Sequence, residues 1–290
     1  MAGTFGSWLA IAYLIGHLGM LLAARERNPE FRFVFRVDLL LISWFVAVLV
    51  FFSGTQFANS RGLQFLVLWS PLVLFWWGYI WAGKTLHTFH APDFCRDSIL
   101  LRLERRLLDS ISLRWPQRAP KALTELFHFF YASYYAYTPI LVVYLYANNR
   151  LLEFEAVAMA VNLGYAVSYT IFPLVPVWGP RWGLILEGKL KASEQKLSGY
   201  WLTRAINSIM YDGVAHKGGA FPSAHAATAV VFLLWSWRLW GSAGGVPAGV
   251  LVIGMCVASL YGRYHYLSDI ACGVLLGLGS TWLADKLVLH

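Results

Sequence analysis

The sequence predicts an all-α, polytopic membrane protein: one integral membrane domain of about eight spans, with a six-helix core over 63–290 and two additional helices over 1–62. Three observations carry this. Of the 290 residues, 58% are hydrophobic and 13% charged, and the mean hydropathy is +0.56, which excludes a soluble domain of this size. Fourteen Trp, fifteen Tyr and nineteen Phe would burden a water-facing surface, whereas aromatic rings are favoured at the two headgroup levels of a bilayer. Finally, apolar runs near the roughly 20 residues needed to cross the hydrocarbon core recur along the chain.

The first run, 5–23, has no basic segment before it. It is followed by Arg25, Glu26 and Arg27 instead of a small-residue cleavage site, so it reads as a retained helix. Further runs occupy 39–58, 63–82, 123–147, 156–177, 224–240, 247–262 and 266–284. Ser53, Gly54, Thr55 and Gln56 dilute the end of the second. The last carries Asp269 one turn inside its start, and a carboxylate at that depth requires a polar interior. Gly273 and Gly277 make a small-xxx-small pair there, the pattern of close helix packing. No long repeat, low-complexity tract or linker divides the chain.

Between the third and fourth runs, Ile99, Leu100, Leu103, Leu107 and Ile111 recur at helical spacing, with Arg96, Arg102, Arg105, Arg106 and Arg114 between them. Two readings fit: a basic amphipathic helix on the membrane surface, or a connecting helix packed on the rest of the protein. Basic residues concentrate in the loops after spans one, three and five and are sparse in the others. Taken as a topology signal, this puts the loop after span five and the turn at Arg263 on the cytoplasmic side.

The formal charge of +8 is unaccompanied by any nucleic-acid motif, so anionic lipid headgroups are the expected partner and nucleic acid is not. Cys95, Cys256 and Cys272 have no metal spacing and receive no redox or ligand role. His87 and His90 share a spacing of three but lack a third ligand, and with His17, His128 and His216 they read as structural. No metal and no cofactor is expected.

Two stretches carry chemistry. Gly218-Gly219-Ala220-Phe221-Pro222-Ser223-Ala224-His225 stands directly before span six. Ser is a good N-cap, and the free amides of a first helical turn attract an anion. Two glycines let the backbone approach an oxyanion closely. The second stretch, Tyr261 to Asp269, joins spans seven and eight. His265 and Asp269 are four apart, which on a helix puts carboxylate and imidazole on one face, where the carboxylate orients the ring and favours its cation. Spans six and seven are antiparallel neighbours, so both stretches meet at one membrane face. The loop with Arg181 leads into span six from that face and brings a guanidinium able to grip phosphate oxygens.

These residues resemble the type 2 phosphatidic acid phosphatase superfamily, whose second motif is Pro-Ser-x-His and whose third ends His-x-x-x-Asp, over roughly residues 120–284. The resemblance implies that His265 is a nucleophile that becomes phosphorylated, that Asp269 orients it, and that His225 protonates the leaving alcohol. It implies an active site facing the exterior or lumen, against the charge bias of the loops. Departures are visible. Leu174 stands where the first motif has Lys before Pro180-Arg181, and the third motif opens with Ala258-Ser259 instead of Ser-Arg. Its Gly-Arg-Tyr-His-Tyr order is similar to the branch of inositol phosphorylceramide synthases and inositolphosphotransferase-like bacterial proteins.

The expected function is therefore a metal-independent lipid phosphate phosphatase or phosphotransferase. His225, His265 and Asp269 are its catalytic residues, and Arg181, Ser223 and Arg263 bind phosphate. Water or a polyol serves as acceptor, and the expected place is the bacterial cell membrane. Arg181 and Arg263 also fit interfacial anchors, and Lys217 fits an anchor better than a ligand. A lipid-binding or transport protein with a dead site is the alternative of another class, against which the intact triad argues.

Overall fold

The structure, a computed structural model, describes residues 4–51, 60–86, 89–91, 93–212 and 216–290. It is all-helical, with no strand among the described residues. The long helices are α1 (Phe5–Ala23), α2 (Phe31–Phe51) and α3 (Arg61–Gly83), then, after a surface segment opened by α4 (Asp97–Leu103), α5 (Lys121–Ala147) and α6 (Leu151–Leu174). Short α7 (Pro180–Leu186) and α8 (Trp201–Asn207) precede the long α9 (Ala224–Tyr261) and α10 (Leu267–Val288). Among the described residues, six helices are long and apolar enough to cross a membrane: α1, α2, α3, α6, α9 and α10. The chain is an integral membrane protein.

Of the about eight expected spans, six candidates stand among the described residues: the 224–240 and 247–262 runs both lie in α9, the 123–147 run lies in α5, outside the six, and other bounds shift. The second begins at Phe31, well before residue 39; the Ser53–Gln56 dilution lies outside the described residues. Arg32, Arg36 and Asp38 had masked the start. Asp38 belongs inside the helix because it is fully buried and paired, accepting from His17 Nδ1 at 2.7 Å and from Trp81 Nε1 at 2.9 Å. His17 is thus structural, as read. His128 is too, its ring held between the Thr124 carbonyl and the Tyr264 hydroxyl. His90 sits on Phe94 at 4.5 Å between ring centroids, and His87 lies outside the described residues.

α9 is two helices in one. Gly241 has φ 58° and ψ −144°, a conformation that Gly alone adopts freely, and the chain reverses there. A Cβ on Gly245 would stand 1.9 Å from the Trp237 ring, and one on Gly249 would stand 3.8 Å from Leu233, so residues on either side of the break face each other in antiparallel register. This returns Tyr261 to the level of Ala224. α5 lies along the hairpin, with Tyr137 stacked on Phe232 at 4.4 Å and Thr124 Oγ1 2.6 Å from the Tyr261 hydroxyl.

α10 packs on the first arm without a gap. A Cβ on Gly273 would stand 2.4 Å from the Ser223 carbonyl oxygen, and one on Gly277 would stand 2.3 Å from that of Ala227. The small-xxx-small reading holds: the missing side chains let two backbones touch. The surface segment after α3 is a packed connecting element. Leu101 and Leu108 are buried with Val177, Leu184 and Tyr266, while Leu103 is 76% exposed. It runs on through Arg105–Leu107, a π-helical turn over Leu108–Arg114 and Trp115–Arg118.

Candidate active site

The site forms where α9 begins and α10 begins. Ser223 is the N-cap of α9: its side chain accepts from Ala226 N at 3.2 Å, which leaves its hydroxyl hydrogen as a donor. Its own amide donates to the Asp269 carbonyl at 3.0 Å. The two motifs are therefore joined through backbone as well as through side chains.

His225 and His265 meet. His225 Nδ1 lies 3.5 Å from His265 Nε2, with ring centroids 5.5 Å apart, and His225 Nε2 lies 3.4 Å from the Tyr131 hydroxyl. His265 Nδ1 lies 3.0 Å from the Ala220 carbonyl. A carbonyl only accepts, so Nδ1 carries the proton and Nε2 presents its lone pair toward His225. His265 is 4% exposed. Burial pushes its pKa down to about 4, and the Arg181 charge lowers it further against the opposing Ala220 bond, so the ring is neutral at neutral pH.

Asp269 is near, by a route other than the expected one. His265 lies outside α10, one residue before the N-cap Tyr266, so the pair does not share a helix face. Asp269 is the third residue of α10, and its carboxylate turns back to accept from Tyr266 N at 2.9 Å in a capping box. This brings Oδ2 to 3.6 Å from His265 Nδ1, longer than a hydrogen bond but close enough to act on an imidazolium through charge.

The arginines divide. Arg181, in the first turn of α7, is 5% exposed. Its Nη1 donates to the Met210 carbonyl at 3.2 Å, and its guanidinium lies against Trp182 and Tyr211. Among the described residues no carboxylate pairs with it. Arg263, at φ 64°, is held by backbone: Nε donates to the Ser112 carbonyl at 2.6 Å, and Nη1 to those of Glu194 and Gln195 at 3.0 and 3.3 Å. The structure thus gathers His225, His265, Asp269 and Ser223, sets Arg181 beside His265, and occupies Arg263 in tying loops together.

Two residues that sequence reasoning passed over hold this assembly. Asp97, fully buried, accepts from Trp178 N at 2.7 Å, Gly179 N at 2.9 Å and the Tyr266 hydroxyl at 2.9 Å. It anchors the approach to Arg181 and the start of α10 together. Burial raises its pKa against these bonds. Glu104 accepts from Leu267 N at 2.6 Å and Ser268 N at 2.7 Å, capping α10 from outside. The available signal was that both are acidic in an arginine-rich stretch.

A family model described as the PAP2 superfamily matches residues 98–283, close to two-thirds of the chain. The chain belongs to the PAP2 superfamily. PAP2 proteins are phosphatases and phosphotransferases of phosphate esters, which makes this chain an enzyme of that broad kind. The PAP2 match takes in all six residues singled out in the sequence and begins within α4, leaving α1, α2 and α3 outside it. No curated protein and no solved structure matches the chain.

Proposed function

We propose that this PAP2 protein cleaves or transfers a phosphate ester of a lipid through a phosphohistidine formed on His265. The observation that carries the reading is the facing pair: His265 Nε2 directs its lone pair at His225 Nδ1 across 3.5 Å, beside an arginine that no carboxylate neutralises among the described residues. Opening that contact by a phosphoryl group puts a nucleophile on one side and a proton carrier on the other. His265 Nε2 attacks phosphorus, the bond from phosphorus to the ester oxygen breaks, and His225, converted to its cation by the proton that a phosphate monoanion brings, gives that proton to the leaving alkoxide. Asp269 stabilises the imidazolium, and Arg181 holds phosphoryl oxygens. Water, activated by His225, then takes the phosphoryl group and frees His265.

A lipid substrate is supported by the cavity beside the pair. It has a volume of about 210 Å³ and is lined by His225 with Trp76, Tyr131, Tyr134, Tyr165 and Phe172 among others. A smaller cavity of about 60 Å³ shares Trp76 and Tyr165 and continues toward Val142 and Val161. The apolar part of an ester fits this continuation while its phosphate stays at the histidines. The Gly262-Arg263-Tyr264-His265-Tyr266 order favours a second reading, an inositol phosphorylceramide synthase-like transferase in which a polyol or lipid alcohol replaces water.

The test is to incubate purified protein with a panel of lipid phosphates, with and without inositol and other polyols, and to identify products by mass spectrometry. Inorganic phosphate from the wild type and none from His265→Ala is the expected result for hydrolysis. A new phosphodiester marks transfer. Undiminished turnover by His265→Ala would remove His265 as nucleophile.

A further inference from the structure

Lys217 lies one residue before the glycines of the second motif, on a segment paired with the chain entering α7 through Val177 and Gly218. Its Nζ sits 4.9 Å from the Trp178 ring centroid and 4.6 Å from that of Trp182. The Arg181 guanidinium lies 5.6 Å from the same Trp182 ring. Two cations therefore border one indole, and among the described residues neither has a carboxylate partner. Lys217 is exposed, whereas Arg181 is buried, and a buried guanidinium without a counter-ion is costly. Attraction to a ring face offsets this by only about 0.5–2 kcal/mol per cation.

The N–H groups of these two indoles are also unpaired among the described residues. Trp178 is 8% exposed, and its Nε1, like that of Trp182, is buried with no hydrogen-bond partner among the described residues. Buried indole N–H groups ordinarily have one. The two cations and the two indole N–H groups, beside a histidine whose proton affinity Arg181 lowers, form a cluster whose charge and donors suit an anion.

From this we infer that Lys217 is a phosphate-binding residue of the active site, forming with Arg181 and the Trp178 and Trp182 indoles a two-cation cradle for a phosphate oxyanion. The inference rests on the reading of the site as one for phosphate esters. It differs from the sequence expectation, in which Lys217 anchors the protein to headgroups. The shared ligand chemistry is the phosphate oxyanion, whether free or carried on a lipid.

The experiment is equilibrium binding of inorganic phosphate to the purified full chain in a neutral detergent, with no turnover required. Lys217→Met is expected to weaken binding about tenfold, the size of one hydrogen bond to a charged group, and Lys217→Arg to restore it to within about threefold. Trp178→Phe keeps a ring under the ammonium and removes the N–H, so a loss of about threefold or more is expected. A dodecyl phosphate competitor should weaken in parallel with inorganic phosphate.

Unchanged phosphate affinity in Lys217→Met, with affinity lost in Arg181→Met, would overturn this inference and leave the site reading standing. So would unchanged phosphate affinity with weakened binding to phosphatidylglycerol vesicles, the signature of an anchor. A wild-type protein that binds no phosphate would overturn both.

Discussion

His265 Nδ1 lies 3.0 Å from the Ala220 carbonyl, against 3.6 Å from the Asp269 carboxylate. The ring is oriented by backbone of the stretch that carries His225, so one motif holds the proposed nucleophile of the other.

In the proposed mechanism that separation leaves Asp269 to act mainly through its charge. Asp269→Asn keeps an acceptor for the Tyr266 amide and removes the charge, so kcat should fall about 10²-fold with little change in thermal stability. A loss as complete as that of His265→Ala would show that the carboxylate does more than this distance allows.

Acid should inactivate the enzyme late. Burial lowers the His265 pKa from 6.5 to about 4, so the neutral, nucleophilic ring persists through pH 5. The acid limb of kcat/KM belongs near the lower value once the substrate's own second ionisation, at about 6, is allowed for. Over the same window the unfolded chain binds more protons at this position than the folded one. Stability therefore also declines as pH drops from 6.5 toward about 4. An acid limb near 6.5 would contradict a buried His265.

Contact between α10 and the first arm of α9 should tolerate no added methyl group. Gly273→Ala and Gly277→Ala force a Cβ to 2.4 and 2.3 Å from carbonyl oxygens, and each is expected to cost about 1–3 kcal/mol in thermal unfolding in detergent. Gly279 has nothing within 4 Å of its Cβ position, so Gly279→Ala is the control, neutral or slightly stabilising.

The acidic residues of the surface segment should matter although neither touches the facing imidazoles. Asp97→Asn replaces one acceptor oxygen with a donor facing the Trp178 and Gly179 amides, and kcat/KM is expected to fall about tenfold, mostly through KM as Arg181 shifts. Glu104→Ala removes the outside cap of α10 at a cost of about 1 kcal/mol in unfolding. Wild-type kinetics in Asp97→Asn would show that Arg181 is placed by other contacts.

Much of this was legible in the chain. Apolar length marked the helices, and the glycine pair marked the contact of α10. The Pro-Ser-x-His and His-x-x-x-Asp motifs marked the residues that converge. What escaped was set by tertiary partners. Asp38 lies inside α2 because His17 and Trp81 satisfy it, which hydropathy cannot register. Spacing alone could not tell that His265 precedes its helix, nor that the Arg263 guanidinium turns to three carbonyls. Whether the arginine-rich segment lies on lipid or on protein depended on Asp97 and Glu104, whose bonds span 81 and 163 residues of sequence.

The reversal at Gly241 places His225 and the Tyr261 end of α9 at the two free tips of a hairpin, like the points of tweezers. Each residue added to one arm advances that tip by about 1.5 Å and turns it by about 100°, so a single insertion in either arm would swing one imidazole out of line with its neighbour. Extra residues at the bend itself change neither tip. The membrane face away from the histidines is thus free to accept length variation that the arms cannot.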